Sequence, residues 1–123
     1  MATRRFRVTP VTDGSGNATY YSPYISGKIT QISYVKTDYA SGVDFTITGE
    51  AIGQTIWTEN DVNASKDCFP RAATHSTAGV ASLYASGGVA VNDLIRLSRD
   101  RVKIVIGSGG ATKTGDFYII VED

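Results

Sequence analysis

The sequence predicts an all-β, single-domain antiparallel β-sandwich of jelly-roll-like form spanning residues 1–123. Three observations predict it. First, the chain holds 11 Val, 11 Ile and 14 Thr against 3 Leu and 1 Met. Branching at Cβ restricts χ1 and suits a pleated surface better than a helix. Second, 13 glycines are spread along the chain and supply turns. Third, the apolar residues fall into seven or eight short runs separated by turn signals, the pattern of a sandwich.

The first run, residues 6–11, places Phe6 and Val8 on one face, and Pro10 sets it at an edge or ends it. Asp13-Gly-Ser-Gly-Asn17 is a dense turn signal, so residues 18–24 are expected to return as a hairpin with the first run. Residues 25–36 form the next strand. Its apolar parity changes between Ile29 and Ile32, which calls for a bulge or for burial on both faces. Val43, Phe45 and Ile47 alternate without fault with Asp44, Thr46 and Thr48, the signature of a half-buried strand. Residues 55–58 carry the only tryptophan, Trp57, on another short strand. Residues 60–76 read as a long loop. Val80, Leu83 and Tyr84 have the spacing of one or two helical turns before Gly87-Gly88. Residues 94–97 and 102–106 are strands flanking Ser98-Arg-Asp-Arg101, and Phe117, Ile119 and Val121 form the closing strand.

Composition excludes several function classes. Twelve Lys+Arg balance twelve Asp+Glu, whereas a general nucleic-acid coat needs surplus cations to neutralise phosphates. Cys68 is the only cysteine and His75 the only histidine. One chain therefore has neither an internal disulfide nor a zinc site built from Cys and His alone. The start, Met1-Ala-Thr-Arg-Arg-Phe-Arg7, lacks the apolar core of a signal peptide, and no apolar run approaches 18 residues. No membrane partner, metal or cofactor is expected.

Motifs that carry chemistry are weak. Gly107-Ser-Gly-Gly-Ala-Thr-Lys113-Thr114 follows a strand as a phosphate loop does, but Thr112 stands where the second glycine belongs, and a strand follows instead of a helix. A hairpin turn is expected there. Cys68 and His75 are seven residues apart, yet no nucleophile motif surrounds either, so a buried thiol and a loop histidine are expected. Asp13, Ser15 and Asn17 have the alternate spacing of a calcium loop, but Tyr24 occupies the position of the required acid. An Asx turn is the better reading. Asn17-Ala-Thr19 and Asn63-Ala-Ser65 match the glycosylation sequon and, without a secretion signal, are expected to be unmodified. No catalytic residue is assigned.

Two surface features stand out. The basic N-terminal arm, about residues 1–7, carries Arg4, Arg5, Phe6 and Arg7. In a strand, Arg5 and Arg7 face one side while Arg4 and Phe6 face the other. As a functional arm, Phe6 would anchor in an apolar groove while the arginines hold carboxylates of a partner; the alternatives are a solvated strand start and a core strand whose deletion unfolds the protein. The second feature is the aromatic set Tyr20, Tyr21, Tyr24, Tyr39 and Trp57, of a type enriched at the centres of interfaces and in carbohydrate sites, although most of these rings are expected in the core. The long loop adds Phe69 and Arg71 as candidate partner-binding residues.

Six stretches carry a family resemblance: Tyr21-Ser-Pro-Tyr-Ile-Ser-Gly-Lys-Ile29, Val43-Asp-Phe-Thr-Ile-Thr-Gly-Glu50, Thr55-Ile-Trp-Thr-Glu59, Pro70-Arg-Ala-Ala-Thr-His75, Val91-Asn-Asp93 and Arg101-Val-Lys-Ile-Val-Ile106. Over nearly the whole chain they resemble a family of small tailed-bacteriophage and prophage virion proteins. Some members resemble capsid cement, or decoration, proteins. The resemblance implies a jelly-roll-like sandwich on the outer capsid surface of the virion, made in the cytoplasm of the bacterial host. Its implied partners are the major capsid protein and further copies of itself, as a dimer or trimer. The alternatives are a head–tail connector or tail component, and, in a different class, a carbohydrate-binding adhesin using Trp57 and the tyrosines.

Overall fold

Alternation of apolar and polar residues becomes alternation of burial in the computed structural model, which describes residues 2–123. Ten strands form two antiparallel sheets, and no helix occurs among the described residues: β1 (Thr3–Val8), β2 (Ala18–Tyr21), β3 (Ile25–Lys36), β4 (Val43–Gly49), β5 (Thr55–Val62), β6 (Lys66–Cys68), β7 (Arg71–Ala73), β8 (Asn92–Asp100), β9 (Val102–Gly107) and β10 (Gly115–Glu122). In β4, β9 and β10 every second side chain is buried, as period-two patterning requires.

One sheet has the order β1-β10-β3-β8-β7, with β6 also paired to β3. The other has the order β2-β9-β4-β5. The pairing is nested. β1 pairs with β10, β2 with β9, β3 with β8 and β4 with β5, all antiparallel. One long hairpin has thus been rolled into two sheets, which β10·β3 and β9·β4 then close. This is the double Greek key of a jelly roll. Strands β6 and β7 and the excursion over residues 74–91 are inserted into its returning arm.

Bulges reconcile the faults in the apolar pattern. Ile120 pairs with Gln31 but Val121 with Ile29, so Thr30 is the extra residue that switches the parity of β3. Ile25 and Ile29 on one side of it, and Ile32 and Tyr34 on the other, then all reach the core. In β5, Ile47 pairs with Trp57 but Thr48 with Thr55, and the extra Ile56 lets two consecutive apolar residues bury. In β8, a left-handed Arg99 (φ 50°) stands at the bulge opposite Ser26, whose hydroxyl accepts its amide. The core between the sheets holds an aromatic cluster. Phe45 lies edge-on to Trp57 and to Phe117, and Tyr34 packs against Tyr39, Phe45 and Phe117 with centroids 5.1–6.2 Å apart.

Several expectations are corrected. Residues 6–11 do not form the first strand; it begins at Thr3 and ends at Val8, and Val11 makes only an isolated bridge to Thr114. Its neighbour is β10, not residues 18–24, because β2 lies in the opposite sheet. The loop expected over residues 60–76 contains the end of β5 and the whole of β6 and β7. Residues 80–84 form no helical turn. Leu83 is bridged to Ala90 and Ala81 to His75, in extended geometry. The glycine-rich segment between β9 and β10 is not a hairpin turn but a crossing from one sheet to the other.

Candidate interaction surfaces

The arginine-rich N-terminus is an edge strand rather than a free arm; Met1 lies outside the described residues. Residues 3–8 pair in unbroken register with β10. The expected facing holds. Arg5 and Arg7 both lie over the Tyr118 ring, and Arg4 lies over Phe6 on the other face. Their charges, however, are largely used within the chain. Arg4 donates to Ser26 O and pairs with Asp123 at 3.2 Å. Arg7 pairs with Asp116 at 3.1 Å, and Asp116 also accepts from Thr9 Oγ1 at 2.6 Å. Arg5 makes no carboxylate pair among the described residues. Phe6 is half-buried against the core, so it anchors the chain's own edge.

Trp57 is not a surface residue, which removes it from the candidate partner-binding set. It is buried, and its Nε1 donates to Glu59 Oε1 at 3.1 Å. Glu59 also pairs with Lys66 at 2.9 Å, and the Lys66 bond followed by the Trp57 bond holds its carboxyl below the usual range. Tyr39 is buried too. Tyr20, Tyr21 and Tyr24 remain at the surface. Phe69 is 59% exposed between β6 and β7, and Arg71, also exposed, donates to Pro70 O. Cys68 sits half-buried in β6, and burial raises its thiol above the usual range, which works against a reactive thiolate. His75 belongs to the excursion instead. The Asx turn is present: Asp13 Oδ1 accepts the amides of Ser15 and Asn17 at 2.8 and 3.1 Å, and these bonds, Asn17 first, lower its carboxyl pKa.

Two assembled surfaces remain. The first is the excursion of residues 74–91. Its three extended segments close a ring of backbone bonds: Thr74 N donates to Val91 O, Val91 N to Ser82 O, and Ser82 N to Thr74 O, each at 2.8–3.0 Å. Further bonds from Ser76 N to Val80 O and from Tyr84 N to Val89 O fix the two tips. Val80, Leu83, Tyr84 and Val89 nonetheless stay exposed, Tyr84 at 76% and Val89 at 74%. Residues 72–92 contain no Asp, Glu, Lys or Arg, the longest such run in a chain that is 20% charged. That run was the available sequence signal. Reading residues 80–84 as helical turns hid it, because apolar residues at helical spacing look like an inward face.

The second surface is the short-turn end of the sandwich, where the β2–β3, β4–β5 and β8–β9 turns meet. Ser22 exchanges bonds with Val102 through its amide and its hydroxyl, and Glu50 N donates to Arg101 O. The Arg101 guanidinium lies over Tyr21 at 4.2 Å and Tyr24 at 5.2 Å and grips Glu50 with two bonds, which raise its pKa. Comparison of the chain with protein-family models and with curated proteins finds no match.

Proposed function

We propose that the protein is a structural component of a phage particle, a cement protein seated on the outer surface of the capsid. The observation that carries this reading is the excursion over residues 74–91. A bonded, charge-free segment that keeps four large apolar side chains exposed is the kind of surface that a partner covers. The jelly roll, an architecture used in viral capsid domains, supplies a rigid support. Phe69, just before β7, and Arg71, its first residue, precede the excursion in the chain and are also exposed. In this reading the excursion docks between neighbouring capsid subunits and adds interface area that opposes the outward pressure of packed DNA. Association as a dimer or trimer on the lattice belongs to the same proposal.

The test is particle composition. A cement protein is expected at on the order of several hundred copies in purified particles. A ring-shaped connector would be present at about a dozen. A carbohydrate-binding adhesin is the second reading, and Tyr24, 62% exposed beside Arg101 and Glu50, is what favours it. Retention on a glycan array that is lost in Tyr24→Ala, together with absence from particles, would select that alternative.

A further inference from the structure

Between the β4–β5 turn and β8 lies a cleft of about 140 Å³. Ile56, Ile95 and Leu97 form its apolar wall, and Gly49 and Asp100 close it. Asp100 is itself 94% buried, at a relative exposure of 6%. Its Oδ1 accepts the amides of Ala51 and Arg101 at 3.0 and 2.7 Å, which accounts for its structural duty in the turn. Its Oδ2 accepts no hydrogen bond among the described residues and lies beside Gly49, where a Cβ would stand 3.1 Å from it. Oδ2 is not among the buried atoms lacking a partner, so it opens into the cleft, where a ligand cation can reach it.

The surrounding charges leave Asp100 as the carboxylate without a cation. Arg96, on the wall, pairs with Asp93 at 3.5 Å, and Arg101 is held by Glu50. Arg99 is exposed and does not line the cleft. An apolar slot ending in one free carboxylate oxygen fits an aliphatic stem with a compact cation at its tip. A guanidinium gains most from two acceptor oxygens, and Oδ1 is already occupied, so an ammonium fits better. We propose that this cleft binds a primary alkylammonium group, presented by a lysine side chain of a partner protein. The inference is independent of the role suggested for the excursion.

The test is an amide-NMR titration of the whole isolated protein with n-butylammonium, with Nα-acetyl-lysine methylamide, and with n-pentanol as a neutral alcohol control of similar length. Saturable shifts confined to Ala51, Leu97, Ser98 and Arg101 are expected with both amines, at millimolar affinity or weaker for ligands of this size. n-Pentanol should give none. Asp100→Asn keeps the Oδ1 acceptor and replaces Oδ2 by a donor, so binding should fall at least tenfold. Gly49→Ala places a methyl group against Oδ2 and should do the same, which keeps the test decisive if one variant fails to fold. Binding of n-butylammonium but not of the lysine amide would overturn the protein lysine as the source. Equal shifts with n-pentanol, unchanged binding in a folded variant, or no saturable shift would overturn the site.

Discussion

Two tyrosines with stacked rings, centroids 6.2 Å apart, illustrate how single residues set stability here. Tyr39 OH donates to Pro10 O at 2.6 Å inside the core, and burial raises its pKa far above the usual tyrosine range. Tyr34 OH is buried with no partner among the described residues. Removing a bonded hydroxyl strands the Pro10 carbonyl, whereas removing an unbonded one relieves a desolvated dipole. Tyr39→Phe is therefore expected to lower stability by about 1–2 kcal/mol, and Tyr34→Phe to leave it unchanged or raise it by about 1 kcal/mol. Urea denaturation of the two variants checks the contrast, and equal losses would show that the hydroxyls are equivalent. Asp13 offers a second test at this scale. Its carboxyl pKa is lowered by backbone bonds in the folded state. Its stabilising contribution is thus present above the unfolded-state pKa and is lost as pH falls through the folded one. Carbon-detected NMR should find Asp13 titrating below the ordinary aspartate range, and Asp13→Asn should flatten the acid limb of the stability profile.

At the scale of elements, the N-terminal strand changes what a truncation does. A free arm could be removed without cost to the fold. A paired edge strand cannot, because β1 satisfies one edge of β10 and Phe6 covers part of the core. Deleting residues 2–7 is expected to lower the melting temperature by roughly 10 °C or more, or to prevent folding, by the scaling of stability with midpoint for a domain of this size. A truncated protein with an unchanged melting curve would show that the strand is dispensable. Gly27 probes the centre of the same sheet. At φ +137°, a Cβ there would stand 2.7 Å from Glu122 O, so Gly27→Ala should destabilise and loosen the β3–β10 pairing, which amide exchange would report.

The same scale shows what the sequence made legible. Strand β3 was readable to its ends, and its parity fault called for either a bulge or burial on both faces; the structure takes the bulge, at Thr30, which lets Ile29 and Ile32 reach the same core. Strand β4 was readable because Val43, Phe45 and Ile47 alternate cleanly. Partnership was not legible. Strand β2 lies in the opposite sheet because a nine-residue connection can cross the sandwich as easily as turn back, and composition does not distinguish the two. The burial of Trp57 follows from its pairing with core-facing Ile47, a register that a short run of residues does not reveal. Burial of Asp100 was missed for a similar reason: its carboxylate is held by turn amides from two different loops, and their meeting is a property of the fold.

At the scale of the whole molecule, the sandwich exposes 6,778 Å², close to the roughly 6,400 Å² expected for a folded monomer of 13.1 kDa. In the proposed division of labour, the nested sheets hold shape and the excursion over residues 74–91 meets the partner. Because that excursion is charge-free, the proposed attachment to capsids should tolerate salt, unlike attachment through arginine pairs. The most direct measurement is cosedimentation with purified capsids across increasing salt, comparing the intact protein with a variant in which residues 75–90 are replaced by a short Gly-Ser link. The intact protein is expected to sediment with particles undiminished at high salt, while the variant, folded by its near-ultraviolet circular dichroism, stays in the supernatant. A folded variant that still sediments, or intact protein released as salt rises, would contradict the assignment of the excursion as the docking element.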